Sequence, residues 1–146
     1  MIPEIYFYIK TKNKLVTLCQ LLQKILETTD HRVIILTEDN LELQEELSHE
    51  LWSIFPDSFL ANEILAGDYQ QPFDTPILIT SSLDRTHDSN DAHILVDLTL
   101  SINNSHFFEK IIFLFGVNEM ELNIARELYK HYQQNKYPIK YFDMST

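Results

Sequence analysis

The chain has 146 residues and a formal net charge of −11, from 22 acidic and 11 basic residues. This length suffices for one domain with a hydrophobic core, and an apolar content of 45% is typical of a globular protein rather than a disordered one. The excess of acid argues against direct binding to the phosphates of DNA or RNA, because that binding mode needs clustered lysine and arginine side chains.

The cysteine content and the N-terminal residues exclude further classes of protein. Cys19 is the single cysteine, so an internal disulfide and a Cys-x-x-Cys metal site are both ruled out. The opening residues, MIPEIYFYIK, lack the basic start and the long apolar run of a signal peptide. No apolar run approaches the length that spans a bilayer. We therefore expect a cytoplasmic protein that makes no contact with a membrane.

The first part of the chain predicts two strand–helix units. Residues 5–9 and 33–36 are continuous apolar runs of β-forming side chains, as expected for strands that are covered on both faces. Asn13 is placed to cap a helix after the first run, and Cys19 lies on the apolar stripe of that helix as a core residue. After the second run, Asp39 with an acid three residues later predicts the cap of a second helix.

The middle of the chain predicts three more strands and a short helix. Residues 76–79 and 93–98 are apolar runs, and the polar link between them is barely long enough for a crossover helix. These two strands are therefore candidates for antiparallel pairing. A short helix is expected over residues 103–109, and a further strand over residues 111–115.

These elements, with an edge strand predicted at residues 137–144, indicate a single three-layer α/β/α domain over residues 1–146. The sheet is expected to be mixed and mostly parallel. The layout is Rossmann-like, but the chain has only two glycines, Gly67 and Gly116. A dinucleotide-binding turn needs three glycines, and a P-loop needs at least two with a lysine. We therefore predict that the domain has no nucleotide-binding loop.

Residue types with catalytic or metal-binding chemistry occur without a diagnostic spacing. Residues 84–93 are rich in Asp, Asn and His, but they lack the glycine and the terminal glutamate of an EF-hand. Ser81 and Ser82 follow a strand without the Gly-x-Ser-x-Gly context of a nucleophile. We predict no catalytic residue, no metal and no cofactor. A small α/β enzyme or nucleotide-binding protein stays open as the alternative.

The most distinctive prediction is an amphipathic helix over residues 118–134. Arg126 and Lys130 are four residues apart, so they lie side by side, with Tyr129 and Leu122 along one flank. Two cations beside an aromatic ring and a leucine suit a ligand that is both anionic and apolar. An ordinary solvated helix face would carry similar charges, and a stacking surface for single-stranded DNA is a further alternative.

A second candidate surface follows the predicted second helix. Trp52 and Phe59 flank Pro56 in an aromatic cluster, and aromatic residues near a helix end are frequent in protein interfaces. The same cluster would also suit a plug at one end of the sheet, so the residues alone leave both interpretations open.

The order of several short motifs resembles the chi subunit of bacterial DNA polymerase III, which is part of the clamp-loader assembly. In chain order the motifs are FYI at 7–9, RVIIL and ED at 32–39, LW, FP and SFL at 51–60, PILI at 76–79, and AR, YK and Y at 125–132. A tyrosine-containing strand closes the chain. Each motif is short, and the resemblance rests on their order and spacing over nearly the whole sequence.

The resemblance implies a non-catalytic adaptor in DNA replication that contacts nucleic acid only indirectly. Chi-like proteins link the clamp loader, through the psi subunit, to the acidic C-terminal tail of single-stranded-DNA-binding protein, which ends in a phenylalanine carboxylate. The residues that would bind this tail are Arg126, Lys130, Tyr129 and Leu122. The residues that would contact psi, or a helicase partner, are Trp52, Pro56 and Phe59. The family often has another basic residue at the position of Leu122, which is a departure in this chain.

Overall fold

The computed structural model describes residues 2–54, 60–64, 75–83, 92–101 and 108–145. Its described part contains three helices and seven strands. The helices are α1 (Lys14–Thr28), α2 (Leu41–Ser53) and α3 (Glu119–Gln134). The strands are β1 (Glu4–Ile9), β2 (Val33–Leu36), β3 (Asn62–Ile64), β4 (Ile77–Thr80), β5 (Ile94–Asp97), β6 (Lys110–Leu114) and β7 (Ile139–Asp143).

The strands form one sheet in the order β3-β4-β2-β5-β6-β1-β7, and every pairing between described strands is parallel. The carboxyl ends of all seven strands therefore lie along the same edge of the sheet. The strand β7 pairs with β1 and forms one border of the sheet, as predicted for residues 137–144. This places the first and last strands of the chain side by side.

The predicted antiparallel pairing, and with it the mixed sheet, is wrong. β4 and β5 are not neighbours, because β2 lies between them and pairs in parallel with both. All four residues of each of these three strands are buried. Strands buried on both faces are typical of parallel sheets, and β4 and β5 do not form a hairpin.

Helices cover both faces of the sheet, so the predicted three-layer α/β arrangement is confirmed. α1 and α2 pack on one face against the side chains of Val33, Ile35 and Ile112, among others. α3 packs on the other face, where Phe7 and Phe113 are fully buried. The expectation that β1 is covered on both faces changes. β1 is fully buried only on the α3 side, and its tyrosines at positions 6 and 8 are half-buried on the α1 side.

Asparagine side chains cap all three helices in the described part of the chain. The Asn13 side chain accepts a hydrogen bond from the Val16 amide at 3.2 Å, as predicted. The predicted cap of α2 was wrong by one residue. Asn40, with extended backbone, accepts from the Leu43 amide at 3.1 Å, while the Asp39 carboxylate accepts a bond from Ser81 instead.

Two further expectations concern single residues or short segments. Cys19 has no exposed surface, which confirms it as a core residue. Its burial and, to a smaller extent, the nearby charge of Glu50 raise the pKa of its thiol to about 11. The short helix expected over residues 103–109 lies mostly outside the described residues, which on this side of the gap begin at Phe108. No helix among the described ranges has both the length and the apolar character required to cross a membrane.

Candidate functional site

The start of α3 is fixed by a compact set of polar contacts at the carboxyl edge of the sheet. Asn118 caps the helix by accepting a hydrogen bond from the Glu121 amide at 2.8 Å. The Glu121 carboxylate in turn accepts bonds from the Asn118 side chain at 2.7 Å and from the Gly116 amide at 3.3 Å. It also forms an ion pair with Lys14, the first residue of α1. These contacts tie α3 to the end of β6 and to the helix on the opposite face.

The same contacts determine the charge of Glu121. Burial alone would raise the pKa of this carboxyl, but hydrogen bonds from Lys14, Gly116 and Asn118 outweigh it and hold the pKa below its usual value. Gly116 sits close to the carboxylate, because a Cβ atom at this position would lie 3.2 Å from Glu121 Oε2. A charged Glu121 therefore holds the start of α3 to the end of β6 and to α1.

A cavity of about 530 Å³ lies between α3, the end of β1 and the border strand β7. This volume is within the range of small-molecule and side-chain binding pockets. Its lining residues are Ile9, Lys10, Leu122, Ala125, Arg126, Tyr129 and Tyr141. Three of the four residues predicted to form the anion-binding face of this helix thus meet in one cavity.

Aromatic rings form the apolar wall of this pocket. Tyr129 on α3 and Tyr141 on β7 meet edge to face, with ring centroids 5.9 Å apart and an interplanar angle of 85°. Tyr129 also contacts the fully buried ring of Phe7 at 5.8 Å. Tyr141 is 55% exposed, so the wall begins in the core and ends at the surface. A further aromatic ring would find favourable edge and face contacts here.

Arg126 supplies one cation of the pocket. Its side chain is exposed, and its Nη1 donates a hydrogen bond to Asn123 Oδ1 at 2.6 Å, one turn earlier on α3. A guanidinium group has five N–H donors in a planar fork that matches a carboxylate. The contact with Asn123 uses one side of this fork and orients the group at the pocket mouth.

Lys10 supplies a second cation that the sequence analysis did not identify. It follows β1 directly, with a backbone φ of 56°, and its Nζ lies 3.7 Å from the carboxylate of Asp143. The signal that would have revealed Lys10 is topological, because it stands at the carboxyl end of a strand whose neighbours end at the same edge. That placement requires knowing that β1 lies between β6 and β7.

Lys130, the fourth predicted residue, is exposed on α3 and does not line the cavity. It lies one helical turn beyond Arg126. Its role in ligand binding stays a prediction. The alternative of a stacking surface for single-stranded DNA would use Tyr129 or Tyr132, but Tyr132 has no exposed surface and its ring centroid lies 5.9 Å from that of Phe113. Stacking by Tyr132 would require the core to open.

The second predicted surface is described only in part. Trp52 lies in the last turn of α2 and is 43% exposed. Pro56 and Phe59 lie outside the described residues, so their proximity to Trp52 and the partner-binding role of all three stay predictions. Most of the polar loop at residues 84–93 also lies outside the described residues. Among the residues that are described, no three His, Cys, Asp or Glu side chains come together as a metal site.

Comparisons with known proteins add one match. The protein-family model described as DNA polymerase III chi subunit, HolC, matches residues 2–140. No curated protein sequence matches the chain. The matched range includes Lys10, Arg126 and Tyr129 of the pocket and ends one residue before Tyr141.

Proposed function

The chain belongs to the DNA polymerase III chi subunit family, and on that premise we propose that its pocket binds the acidic, phenylalanine-terminated tail of single-stranded-DNA-binding protein. Membership of the family makes the chain a replication accessory subunit of DNA polymerase III. The finer proposal is that it is a non-catalytic, cytoplasmic adaptor, folded as one domain, which joins this tail to the psi subunit of the clamp loader.

The observation that carries the proposal is the pairing of Arg126 with an aromatic pocket. The guanidinium is exposed at the rim, while Tyr129 and Tyr141 form a wall that a phenylalanine ring can enter. A C-terminal phenylalanine presents its ring and its carboxylate on one residue, so the two groups must be received within one side-chain length. Arg126 would form the bidentate pair with the carboxylate, and Leu122 would contact the ring.

The net charge of −11 makes such a local cationic site selective. An acidic tail is repelled by most of this surface and is attracted only where lysine and arginine are clustered. Charge-assisted hydrogen bonds contribute roughly 1.5–3 kcal/mol each. Two of them and one buried ring must also offset the entropic cost of association, and we expect a net binding free energy of about −7 to −8 kcal/mol, which is micromolar affinity. Lys130, one turn from Arg126, would add a weaker, solvent-exposed attraction.

The contact with psi is proposed for the second candidate surface, at Trp52, Pro56 and Phe59. What supports it is the exposed indole of Trp52 at the end of α2 and the enrichment of aromatic residues in protein interfaces. A helicase partner would suit the same surface. Binding of purified psi to the chain, with and without the change Trp52→Ala, tests this part independently of the pocket.

Arg126→Glu is the direct test of tail binding. A synthetic peptide of acidic residues ending in phenylalanine should bind the unchanged chain saturably in isothermal titration calorimetry. The charge reversal should weaken this binding by roughly a hundredfold or more, because it replaces a paired carboxylate with a repelled one. The melting temperature should stay the same, since Arg126 is exposed and contacts only Asn123 among the described hydrogen bonds.

The matched control is Lys12→Glu, which makes the same charge reversal at an exposed residue outside the pocket. It should leave most of the affinity intact. Unchanged binding in Arg126→Glu, or an equal loss in both variants, would show that the tail does not bind in this pocket.

A further inference from the structure

We infer that Lys10 receives a side-chain carboxylate of the tail, upstream of the terminal phenylalanine, and that Asp143 is the resident counterion which this carboxylate displaces. The inference rests on the proposed function and assigns the direction of the bound peptide. The terminal carboxylate lies at Arg126 on α3, and the preceding acidic residues run across the pocket toward the end of β1.

The first argument is the position of the two cations. Lys10 and Arg126 both line the cavity, but they come from different elements, the turn after β1 and the helix α3. The other lining residues of α3 are apolar or aromatic, so Lys10 supplies the second positive charge, from a separate side of the opening. A ligand with one carboxylate would use one of these cations, whereas an acidic tail with a terminal carboxylate can use both.

The second argument is that the backbone holds Lys10 in place. Its φ of 56° is a left-handed conformation that residues with a side chain seldom adopt. The backbone is fixed on both sides, because the Met144 amide donates to the Ile9 carbonyl at 2.9 Å and the Thr11 amide donates to the Phe115 carbonyl at 3.0 Å. Strained residues held in this way are concentrated at functional sites. The backbone of Lys10 is thus fixed at the edge of the pocket before any ligand arrives.

The third argument concerns the present partner of Lys10. The Lys10 and Asp143 side chains are 42% and 45% exposed, and their charged atoms are 3.7 Å apart. Exposed pairs of this kind are weak and exchange readily. Hydrogen bonds from Ser145 and, to a smaller extent, the charge of the neighbouring Lys10 hold the pKa of Asp143 below its usual value. Asp143 stays charged and retains the Ser145 amide, at 2.9 Å, when another carboxylate takes its place beside Lys10.

The fourth argument is the composition of α3 itself. Leu122 lies at the pocket on the turn before Arg126, where it contributes apolar surface and no charge. Lys130 is exposed and outside the lining. Within the described residues, the cation placed to complement Arg126 across the cavity is therefore Lys10.

A peptide-by-protein cycle tests the inference. Two peptides are used, one acidic with a terminal phenylalanine and one in which the upstream aspartates are asparagines. Lys10→Gln should weaken binding of the acidic peptide by roughly three- to tenfold and should leave the affinity of the amide peptide unchanged. Asp143→Asn should strengthen binding of the acidic peptide by a few-fold, because the competing carboxylate is gone. Lys12→Gln is the matched control, and Lys130→Gln compares Lys10 with the exposed cation on α3.

The outcomes separate this inference from the proposed function. If the unchanged chain binds the acidic peptide and Arg126→Glu removes that binding, tail binding stands whatever Lys10 does. The inference alone is overturned if Lys10→Gln behaves like Lys12→Gln, if it weakens both peptides equally, or if Lys130→Gln has the larger effect. Absence of binding by the unchanged chain would overturn the proposed function itself.

Discussion

The two faces of the sheet are built from different side chains. Under α3 the core is rich in aromatic rings, with Phe7 5.6 Å from Phe113 and Tyr132 5.9 Å from Phe113. Under α1 and α2 the fully buried residues of the described core are aliphatic, apart from Cys19. The aromatic series continues outward through Tyr129 to Tyr141 at the surface.

The aromatic wall of the pocket lies on the α3 side of the sheet. Flat rings pack in offset or edge-to-face pairs, so a row of them can extend from the core to the surface without a gap. Branched aliphatic side chains interdigitate and close the space between sheet and helix. The aromatic series on the α3 side ends in an open wall beside β7.

The largest effect is expected from cutting the aromatic series at its buried end. Phe7→Ala removes a ring with no exposed surface that contacts Tyr129, so it should lower the free energy of unfolding by about 3–5 kcal/mol. It should also weaken peptide binding, because Tyr129 loses its support. Urea unfolding and calorimetric titration measure the two effects, and the milder Phe7→Leu keeps the chain folded if the alanine variant unfolds.

Leu22→Ala is the matched change on the aliphatic face. Leu22 is also fully buried, and its truncation should cost about 2–5 kcal/mol with no change in peptide affinity below the unfolding transition. Equal losses of affinity in both variants would contradict the view that only the aromatic face supports the pocket.

A smaller effect is expected at the joint between the two helical layers. Glu121→Gln should lower the free energy of unfolding by about 1–2 kcal/mol near neutral pH, because the carboxylate pairs with Lys14 and accepts two further bonds. The pKa of Glu121 is lowered in the folded chain. Its stabilising contribution is therefore present above the unfolded-state pKa and is lost as the pH falls through the folded-state pKa.

The pH dependence provides the check on this prediction. Urea unfolding of both proteins at several values between neutrality and pH ~3 should show the difference between them shrinking in acid. A difference that stays constant over this range would mean that the charge of Glu121 does not stabilise the start of α3.

The smallest effect is expected at the other end of α3, and its sign is opposite. Lys136 adopts a φ of 62°, and the Tyr137 amide donates to the Tyr132 carbonyl at 3.0 Å, as in a Schellman motif that normally has glycine at this position. Lys136→Gly should therefore raise the free energy of unfolding by about 0.5–1 kcal/mol. Thermal unfolding measures it, and Lys130→Gly, inside the helix, is the control that should destabilise.

Local sequence signals predicted most of the elements. Apolar runs located β2, β4 and β6, and the periodicity of residues 118–134 located α3 within one residue. Asn13 was recognised as a cap because its side-chain oxygen and the following apolar stripe are both visible in the sequence. Each of these signals lies within one element, which is why the sequence alone reveals it.

Features that depend on strand order were not predictable in the same way. The parallel pairing of β4 and β5 with β2 depends on which strand inserts between the others, and the short link between β4 and β5 suggested the wrong answer. Lys10 was missed for the same reason, because nothing near it in the sequence indicates that β7 and α3 lie beside it. Arg126 and Tyr129 were identified because they share one helix with Leu122.

The pairing of β1 with β7 has a consequence for the timing of biosynthesis. Lys10 is synthesised well before Tyr141, so the wall of the cavity is incomplete until β7 has left the ribosomal exit tunnel and paired with β1. A nascent chain that still lacks β7 would therefore lack the aromatic wall of the cavity that Tyr141 provides.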